Sequence, residues 1–590
     1  MLFDSRFIQT EEYKKLAHTL SEPGVCALFG LPGAGRALVY AALSRSLDRP
    51  LCIVTPGEAE ATRFAGDLNT LGIPAAVFPA RDYVLRPIEG TAREYEYRRL
   101  GVLGDLVGGR LRAVCVSEEA LSQYTTPKAD FCANTRTLHP GDTIPRAELT
   151  ALLFGAGYTR RTQVDGPGQF SIRGDIVDLY APDMKQPVRM EFWGEEIDTM
   201  HTFDLTTQRR DDAIEKIYVS PAREVLFGAP ADAAALLRAF LKKQRGKKRT
   251  ALENCMAAEL AQLDGGAIPV NMDKYLAVRY PEPKTLLDYW DDPLLVIEEP
   301  ASVREAQRAT AYRRGEELTT LLQDGVLAAG LDGLYAEPGW LWNQPAHYRT
   351  VCAENFARSM PDLPLKAIVN APAHALPAWS GEVAGLLEDL QPLWDGGAAV
   401  TVLAGTPRAA AGLAADLRVK GLTVTTDENA EPSAGLVQVL PGQLTAGCSL
   451  PFAKYAVFTA RAFGVSTAQK KKKRNKDALN SLSEISPGDL VVHQNHGIGR
   501  YAGIQRMAVQ GVTKDYLRIE YDKKDVLYVP VTQLDLLSRY TAPGDRDNVK
   551  LSRLGGGEWA KTRKRVKAAT EAMAKERIEL YARRKQAKGY

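Results

Sequence analysis

The residues with the clearest chemical potential form a glycine-rich loop near the start of the chain, Gly30-Leu31-Pro32-Gly33-Ala34-Gly35-Arg36-Ala37. The glycine spacing is that of a phosphate-binding loop, in which backbone N–H groups hold phosphate while a Lys and a Ser or Thr complete the nucleotide and Mg²⁺ site. Arg36 and Ala37 stand in those last two places. Because Ala has no oxygen for a metal and Arg is a planar fork rather than a compact ammonium, the loop predicts a degenerate site without a cofactor. An ordinary strand-to-helix turn that never bound a nucleotide fits this pattern equally well.

Two charged segments could also bind Mg²⁺ or phosphate, and each has a simpler interpretation. Glu298 and Glu299 follow an apolar run at 294–297, the position of a Walker B acid. Since Ala37 is already missing from the metal shell, we expect these acids to be remnants or solvated strand-end residues. The basic run at 470–476 could touch nucleic-acid phosphate, but runs of this kind are usually solvated.

Neither the cysteines nor the histidines are spaced as metal ligands. The seven cysteines are scattered without a CxxC pair, which predicts reduced thiols in a cytoplasmic protein rather than a disulfide framework or a zinc site. His493 and His496 have no third ligand type beside them, so we expect a structural role. The sequence has an early acid and no run of about twenty apolar residues, so we expect neither a signal peptide nor a membrane span.

Length and composition predict several ordinary globular domains. A chain of 590 residues suggests about four domains, and 45% apolar with 25% charged residues is the composition of a globular protein. The formal net charge of +3 is nearly neutral for this length. Any surface that binds nucleic acid must therefore be local.

The amino-terminal half is predicted to contain a parallel α/β domain with an insert. Apolar runs at 25–29, 51–54, 75–78 and 111–117 alternate with helical sequence, which predicts a parallel sheet in residues 1–135. Short strands punctuated by Gly and Pro are then predicted at 160–164, 168–172, 175–180, 188–193 and 196–203. These strands predict a strand-rich insert at 136–215, after which helical sequence continues the first domain through 216–345.

The remaining sequence predicts a second α/β domain, a linker, a small β domain and a helix. Strands at 398–404, 422–426 and 437–440 indicate a small α/β domain of unknown role at 346–460, and a basic linker follows at 461–484. At 485–545, Leu517, Ile519 and Tyr521 alternate with polar residues, which is the period of a half-buried strand. Residues 522–525 are predicted to form the turn to the next strand. We expect a Tudor/SH3-like β-barrel there and a highly charged helix at 546–590.

Several motifs closely resemble the bacterial transcription-repair coupling factor (Mfd) family. They are Ser486-Pro487-Gly488-Asp489-Leu490-Val491-Val492-His493, Leu527-Tyr528-Val529-Pro530-Val531, Arg173-Gly174-Asp175-Ile176-Val177-Asp178-Leu179 and Arg189-Met190-Glu191-Phe192-Trp193. The resemblance implies that residues 1–345 are a UvrB-homology module with an inactive ATPase. It also implies that 485–545 is a CarD-like, RNA-polymerase-interacting domain and that 546–590 leads into a RecG-like translocase beyond residue 590.

The same resemblance suggests which residues contact UvrA. Arg173, Arg189 and Trp193 fall at the positions through which the family contacts that repair protein. Strand alternation places Arg189 and Trp193 on the face opposite the apolar residues of 188–193, and an outward Trp beside an outward Arg is typical of a binding hot spot. The alternative is that Trp193 packs on a neighbouring domain and the arginines pair with Asp175 or Glu191.

For the β domain, the resemblance implies contact with the RNA polymerase β subunit. We expect the contacting residues to be Ile504, Arg506 and Met507, because a partner strand can extend an exposed strand edge. A plain core role for Met507 is equally consistent with its sequence.

Together these expectations describe the docking half of a transcription-coupled DNA repair factor. The full protein would recognise RNA polymerase stalled at lesions, release it by ATP-dependent translocation and recruit the UvrA nucleotide excision repair machinery. We expect no cofactor here, ATP and Mg²⁺ in the motor, double-stranded DNA contacts mainly through the motor, and a cytoplasmic monomer. The alternatives are an active UvrB-like ATPase or helicase, which Arg36, Ala37 and the absence of UvrB's DNA-gripping hairpin disfavour, and a stand-alone CarD-like regulator.

Overall fold

The computed structural model describes residues 4–86, 93–205, 207–379, 381–460, 487–493, 496–509, 512–522, 525–530, 537–540 and 551–553. They form a multidomain α/β architecture with parallel and mixed sheets, as the sequence predicts. The predicted linker at 461–484 lies outside the described residues, as does the predicted helix at 546–590 apart from 551–553. Within the described ranges, no helix is long and apolar enough to cross a membrane.

Strands and helices alternate through the first part of the chain. The elements are α1 (Asp4–Phe7), α2 (Glu11–Thr19), β1 (Gly24–Phe29), α3 (Gly33–Ser46), β2 (Leu51–Thr55), α4 (Glu58–Thr70), β3 (Ala75–Phe78), α5 (Glu94–Val107), β4 (Ala113–Ser117), α6 (Glu118–Leu121) and α7 (Lys128–Ala133). Every residue of β1, β2 and β4 is buried. Continuous burial explains why these strands are short apolar runs without alternation, as is typical of a parallel sheet covered on both faces.

A strand-rich insert follows. It contains β5 (Arg136–Leu138), α8 (Arg146–Gly155), β6 (Thr159–Arg160), β7 (Gln169–Arg173), β8 (Ile176–Tyr180), β9 (Val188–Trp193), β10 (Glu196–Phe203), β11 (Arg210–Ala213) and β12 (Ile217–Val219). The sheet order is β11-β10-β9-β8-β7-β6, antiparallel except for the β6–β7 pair. β5 and β12 pair where the insert enters and leaves. The strand predicted at 160–164 is shorter, because only Thr159–Arg160 pairs with β7.

The chain then returns to the first sheet. This part contains α9 (Pro230–Lys242), α10 (Gly246–Asp264), α11 (Leu276–Arg279), β13 (Leu294–Glu298), α12 (Pro300–Gln323), α13 (Trp340–Asn343), β14 (Arg349–Glu354) and β15 (Leu365–Asn370). The seven strands run parallel in the order β15-β1-β14-β13-β2-β4-β3. β14 and β15 lie beyond residue 345 yet flank β1 on its two sides. The first sheet therefore extends past the boundary that the sequence predicts.

Two further sheets complete the described chain. The first contains β16 (His374–Leu376), α14 (Val383–Asp395), β17 (Ala399–Leu403), α15 (Pro407–Val419), β18 (Val424–Thr425), β19 (Val437–Leu440), β20 (Gly447–Leu450) and β21 (Tyr455–Thr459). The second contains β22 (Leu490–His493), β23 (Gly497–Val509), β24 (Val512–Glu520), β25 (Val526–Pro530) and β26 (Leu537–Arg539), antiparallel in the order β25-β24-β23-β22-β26. Leu517, Ile519 and Tyr521 are buried, as their alternation predicts.

A buried network of charges joins the end of the insert to the first domain. Glu224 accepts from Arg99 Nε at 2.6 Å and pairs with Arg81 Nε at 3.2 Å. Arg81 also reaches Asp273 at 2.8 Å, and the Glu224 backbone N–H donates to Glu96 at 3.0 Å. Burial alone would raise the pKa of Glu96, but attraction to the arginines around it, Arg93 first, lowers this pKa to about 2.

Candidate functional site

The glycine-rich loop lies between β1 and α3, at the carboxyl edge of the first sheet, where open α/β sheets bind ligands. Gly30 has a φ of +90°, a backbone conformation that favours glycine. The neighbouring strand β13 ends at Glu298, and Glu299 follows with a φ of +46°. The loop and the paired acids, which are far apart in sequence, therefore meet at one place.

Arg36 fills the space between the loop and these acids. Its guanidinium donates to Glu298 and to Glu299, and its Nε donates to the Leu31 carbonyl at 3.0 Å. The Tyr40 hydroxyl donates to the second carboxylate oxygen of Glu298. Arg36 and Glu298 are only 3% and 2% exposed. Our expectation of solvated acids is therefore wrong for Glu298, because Arg36 and Tyr40 replace the water that it would otherwise need.

The neighbouring groups favour the charged form of Arg36, while burial raises the pKa of Glu298 against the opposing attraction of Arg36. Burial opposes the charged form of Arg36, but the attraction of Glu298, Tyr40 and Glu299 together outweighs burial and raises the pKa of the guanidinium. Burial, and then the negative charge of Glu298, raises the pKa of Tyr40, so that the phenol stays protonated and donates. Removing one partner of such a pair leaves an uncompensated buried charge. A phosphate group that entered here would have to break these contacts.

The part of the chain that follows β15 packs directly on the loop. The Ala371 N–H donates to the Phe29 carbonyl at 2.9 Å, and the Ala373 N–H donates to the Gly30 carbonyl at 3.0 Å. A Cβ atom at Gly35 would lie 3.4 Å from Leu450 of β20. Strand β20 and the segment before β16 thus pack against the loop.

A second candidate site lies at one end of the insert sheet. Strands β8 and β9 are antiparallel, with Ile176 opposite Glu191, so the turn at 174–175 and the turn at 194–195 lie at the same end. Trp193 is the last residue of β9 and is 84% exposed. Alternate residues of β9 are buried, which confirms the predicted alternation of this strand. Trp193 therefore does not pack on a neighbouring domain within the described chain.

The two arginines predicted beside Trp193 share one buried acid. Arg189 Nε lies 2.6 Å from Asp178 Oδ1, and Arg173 reaches Asp178 Oδ2 at 2.6 Å. The Asp178 side chain is fully buried, the Arg189 side chain is 12% exposed and the Arg173 side chain is 47% exposed. The arginines do pair, but with Asp178 rather than with Asp175 or Glu191. Arg189 therefore helps to hold β9 against β8 through Asp178. The guanidinium of Arg173 stays partly exposed, so its N–H groups can also reach solvent.

Arg146, at the start of α8, joins the two turns and was missed by the sequence analysis. It donates to the Gly174 carbonyl, reaches Asp175 Oδ1 at 2.5 Å and donates to the Gly194 carbonyl at 3.3 Å. Its guanidinium also lies 5.4 Å from the centre of the Phe192 ring. The sequence does show a basic residue at the start of a helix just before two hairpins. It does not show which residues Arg146 contacts, because these lie 28 to 48 residues away in sequence.

The third candidate site is the free edge of β23 in the last sheet. Strand β22 pairs with β23 only as far as Arg500, whereas β24 pairs with it through Val509. After the register shift at 501–503, β23 therefore pairs with β24 alone among the described residues. Ile504 is 48% exposed on this stretch. The backbones of Arg506 and Met507 continue it, but their side chains lie outside the described residues.

The histidines of this sheet form a close pair. The rings of His493 and His496 have centroids 4.7 Å apart. Burial, and then the neighbouring His496, lowers the pKa of His493 to about 3. His493 is therefore neutral at ordinary pH. Across the described ranges, no group of three or more His, Cys, Asp or Glu side chains is placed to hold a metal ion.

Two of these sites fall within segments that match known domain families. Residues 137–225 match the family model of the UvrB interaction domain, and residues 485–541 match that of the CarD-like/TRCF RID domain. The first match contains Trp193 and Arg146, and the second contains Ile504.

The whole chain is also similar to curated proteins. It is 28% identical to a transcription-repair-coupling factor of Bacillus subtilis (strain 168), across 99% of this chain and 51% of that protein. It is 26% identical to the factor of Staphylococcus haemolyticus (strain JCSC1435), across 95% of this chain and 49% of that protein, and 25% identical to that of Staphylococcus aureus (strain MRSA252), across 87% and 44%. The chain spans about half the length of the curated relatives it matches. These similarities confirm the family resemblance seen in the motifs.

Proposed function

We propose, from the similarity of nearly the whole chain to transcription-repair-coupling factors, that it serves as the docking part of such a factor. In this proposal the insert binds UvrA and the last sheet binds RNA polymerase. The observation that carries the proposal is the exposure of Trp193 within the segment that matches the UvrB interaction domain. A tryptophan with 84% of its surface exposed is costly to leave in water, and a partner protein would bury it.

The UvrA-binding surface consists of Trp193 with Arg173 and is held in shape by Arg189. Trp193 supplies apolar area, and the exposed part of the Arg173 guanidinium supplies donors for an acidic or carbonyl-bearing partner. The Arg189–Asp178 pair fixes the strand from which Trp193 projects.

The polymerase-binding surface is the free edge of β23, in a domain that we interpret as a Tudor/SH3-like barrel. An edge with one unused row of backbone N–H and C=O groups can accept a strand from a partner. Ile504 is exposed beside that edge, and we assign Arg506 and Met507 to the same contact. The partner that the proposal names is the β subunit of bacterial RNA polymerase.

The first domain acts as a scaffold with a degenerate phosphate-binding loop. Arg36 occupies the site and is bound to Glu298 and Glu299, and Ala37 offers no metal ligand. ATP and Mg²⁺ would then act in a translocase motor elsewhere in a protein of this family. That motor would also make most of the contacts with double-stranded DNA. The complete factor would release polymerase stalled at DNA lesions and recruit nucleotide excision repair in the cytoplasm.

The sheets also suggest a revised domain layout. We propose a first α/β domain at 1–135 and 216–345 that also takes in β14 and β15, with the insert at 136–215 as its UvrA-binding part. The α/β unit within 346–460 would then cover the degenerate loop, which gives a structural role to a segment whose role the sequence left unknown.

Separate capture assays with purified UvrA and purified RNA polymerase β subunit test this proposal. We expect the chain to bind both, UvrA binding to be lost in Trp193→Ala, and polymerase binding to be retained in that variant. Thermal melting with and without Mg-ATP tests the rival interpretation as an active UvrB-like ATPase. A ligand present at about 100 times its Kd stabilises a protein by about 2.7 kcal/mol, so a clear rise in Tm together with absent capture would favour the ATPase.

A further inference from the structure

A cluster of cations lies at the turn between α9 and α10 and has no part in the proposed docking sites. Its six members are Lys242, Lys243, Arg245, Lys247, Lys248 and Arg249, and all are exposed. We call this set the helical-turn cluster. The sequence has no acidic residue between Asp232 and Glu253. Because the whole chain has a net charge of only +3, the cluster is a strong local concentration of positive charge.

Most of these cations lack a neutralising partner. Arg249 pairs with Glu253 at 2.7 Å. Within the part of the chain that the structure describes, no carboxylate lies within 4.0 Å of the other five. On the same two helices, by contrast, Arg238 pairs with Asp264 at 2.5 Å. The turn therefore differs from the other end of α10, where Asp264 is neutralised by Arg238.

The stability of α10 does not explain these cations. Its first turn carries Lys247, Lys248 and Arg249 with no acidic residue, and no side chain caps its N-terminus. Positive charges at this end of a helix oppose its dipole and repel one another. An anion that contacts several of these side chains at once would remove that unfavourable interaction.

We propose that the helical-turn cluster binds the phosphate backbone of duplex DNA. Lysine and arginine contacts with phosphates supply affinity without sequence preference. Residues 242–250 contain no aromatic side chain on which a base could stack, which favours contact with the phosphates of a duplex over stacking on the bases of a single strand. Its role would be to hold this part of the chain on the DNA independently of any motor.

Fluorescence anisotropy of a labelled, mixed-sequence duplex with the 590-residue chain, over a series of NaCl concentrations, tests this proposal. The test variant is K242Q/K243Q/K247Q. The slope of log K against log[salt] is negative, and each lost phosphate contact reduces its magnitude by about 0.9. We therefore expect the magnitude of the slope to fall by about 2 to 3 and the affinity at low salt to fall at least about tenfold.

The matched control is K185Q/K216Q/K420Q, which removes the same charge from exposed lysines outside the cluster. We expect this control to keep the wild-type slope, and circular dichroism melting to show that both variants fold. A third variant replaces Lys470 to Lys473 with Gln, because that basic run is an alternative source of phosphate contacts.

Four results would overturn the proposal. They are absence of duplex binding by the wild-type chain at low salt, equal losses in the test and control variants, loss only in the 470–473 variant, and tighter binding of a single strand than of the duplex. A selective loss in the test variant supports it.

Discussion

The guanidinium of Arg36 donates to the buried carboxylate of Glu298 across 262 residues of sequence. This contact places a positive charge where a nucleotide-binding loop of this type would use a lysine, and it binds that charge to an acid at the end of β13. The loop thereby becomes part of the packing of the first domain. The relationship gives Arg36 a structural role in this domain.

Arg36→Ala should lower the stability of the first domain substantially. The substitution leaves Glu298 buried with Tyr40 as its remaining hydrogen-bond donor, and breaking a buried pair costs about 3–5 kcal/mol. Chemical denaturation measures the change in the free energy of unfolding. Arg63→Ala is the control, since its pair with Glu60 is solvent-exposed and should contribute about 0–1 kcal/mol. Equal effects of the two substitutions would contradict the inferred role of Arg36.

Glu96 should make stability depend on pH in acid. Burial raises its pKa, but Arg93, Arg81 and Arg223 together lower it to about 2, below the ordinary value of about 4.3. The stabilisation is therefore complete above the ordinary pKa and is lost as the pH falls toward 2, amounting to about 3 kcal/mol. Glu96→Gln should flatten the pH profile of the free energy of unfolding between pH 5 and 2. If it left the profile parallel to that of the wild type, another group would be responsible.

Arg146→Ala should weaken UvrA binding about three- to tenfold with little loss of stability, because partly exposed pairs contribute about 0–1 kcal/mol. The forked guanidinium of Arg146 hydrogen-bonds to both turns beside Trp193. A lysine ammonium is a single point of charge and cannot donate to both turns in this geometry. Surface plasmon resonance with Arg146→Ala and Arg146→Lys measures the effect. Arg136→Ala is the control, since its pair with Glu148 includes no residue of either turn. If all three variants bind like the wild type, Arg146 does not position the surface.

Ile504→Arg should abolish polymerase binding and leave the β domain folded. Ile504 is 48% exposed, so a charge there is tolerated, whereas it would stand in the way of an apolar partner. Leu517→Arg provides the contrast, because Leu517 is fully buried and its replacement should unfold the domain. Capture of the β subunit and thermal melting distinguish the two variants. Full polymerase binding by Ile504→Arg would exclude this edge as the contact.

The features that the sequence predicted correctly are local ones. The alternation in 188–193 placed Trp193 outside, and the alternation around Leu517 identified a core strand, because both depend on a two-residue period. The features that it missed join distant residues. Nothing local pairs Arg36 with Glu298 or Arg146 with Gly194, and the membership of β14 and β15 in the first sheet depends on their pairing with β1.

Calorimetric titration of the chain with purified UvrA tests the central proposal most directly. The matched variants are Trp193→Ala and Phe356→Ala, which truncate aromatic side chains of 84% and 81% exposure in different parts of the chain. We predict that the wild type and Phe356→Ala bind UvrA with the same affinity and that Trp193→Ala binds at least about tenfold more weakly. Equal affinities of the two variants, or no binding by the wild type, would contradict a UvrA-docking surface at Trp193.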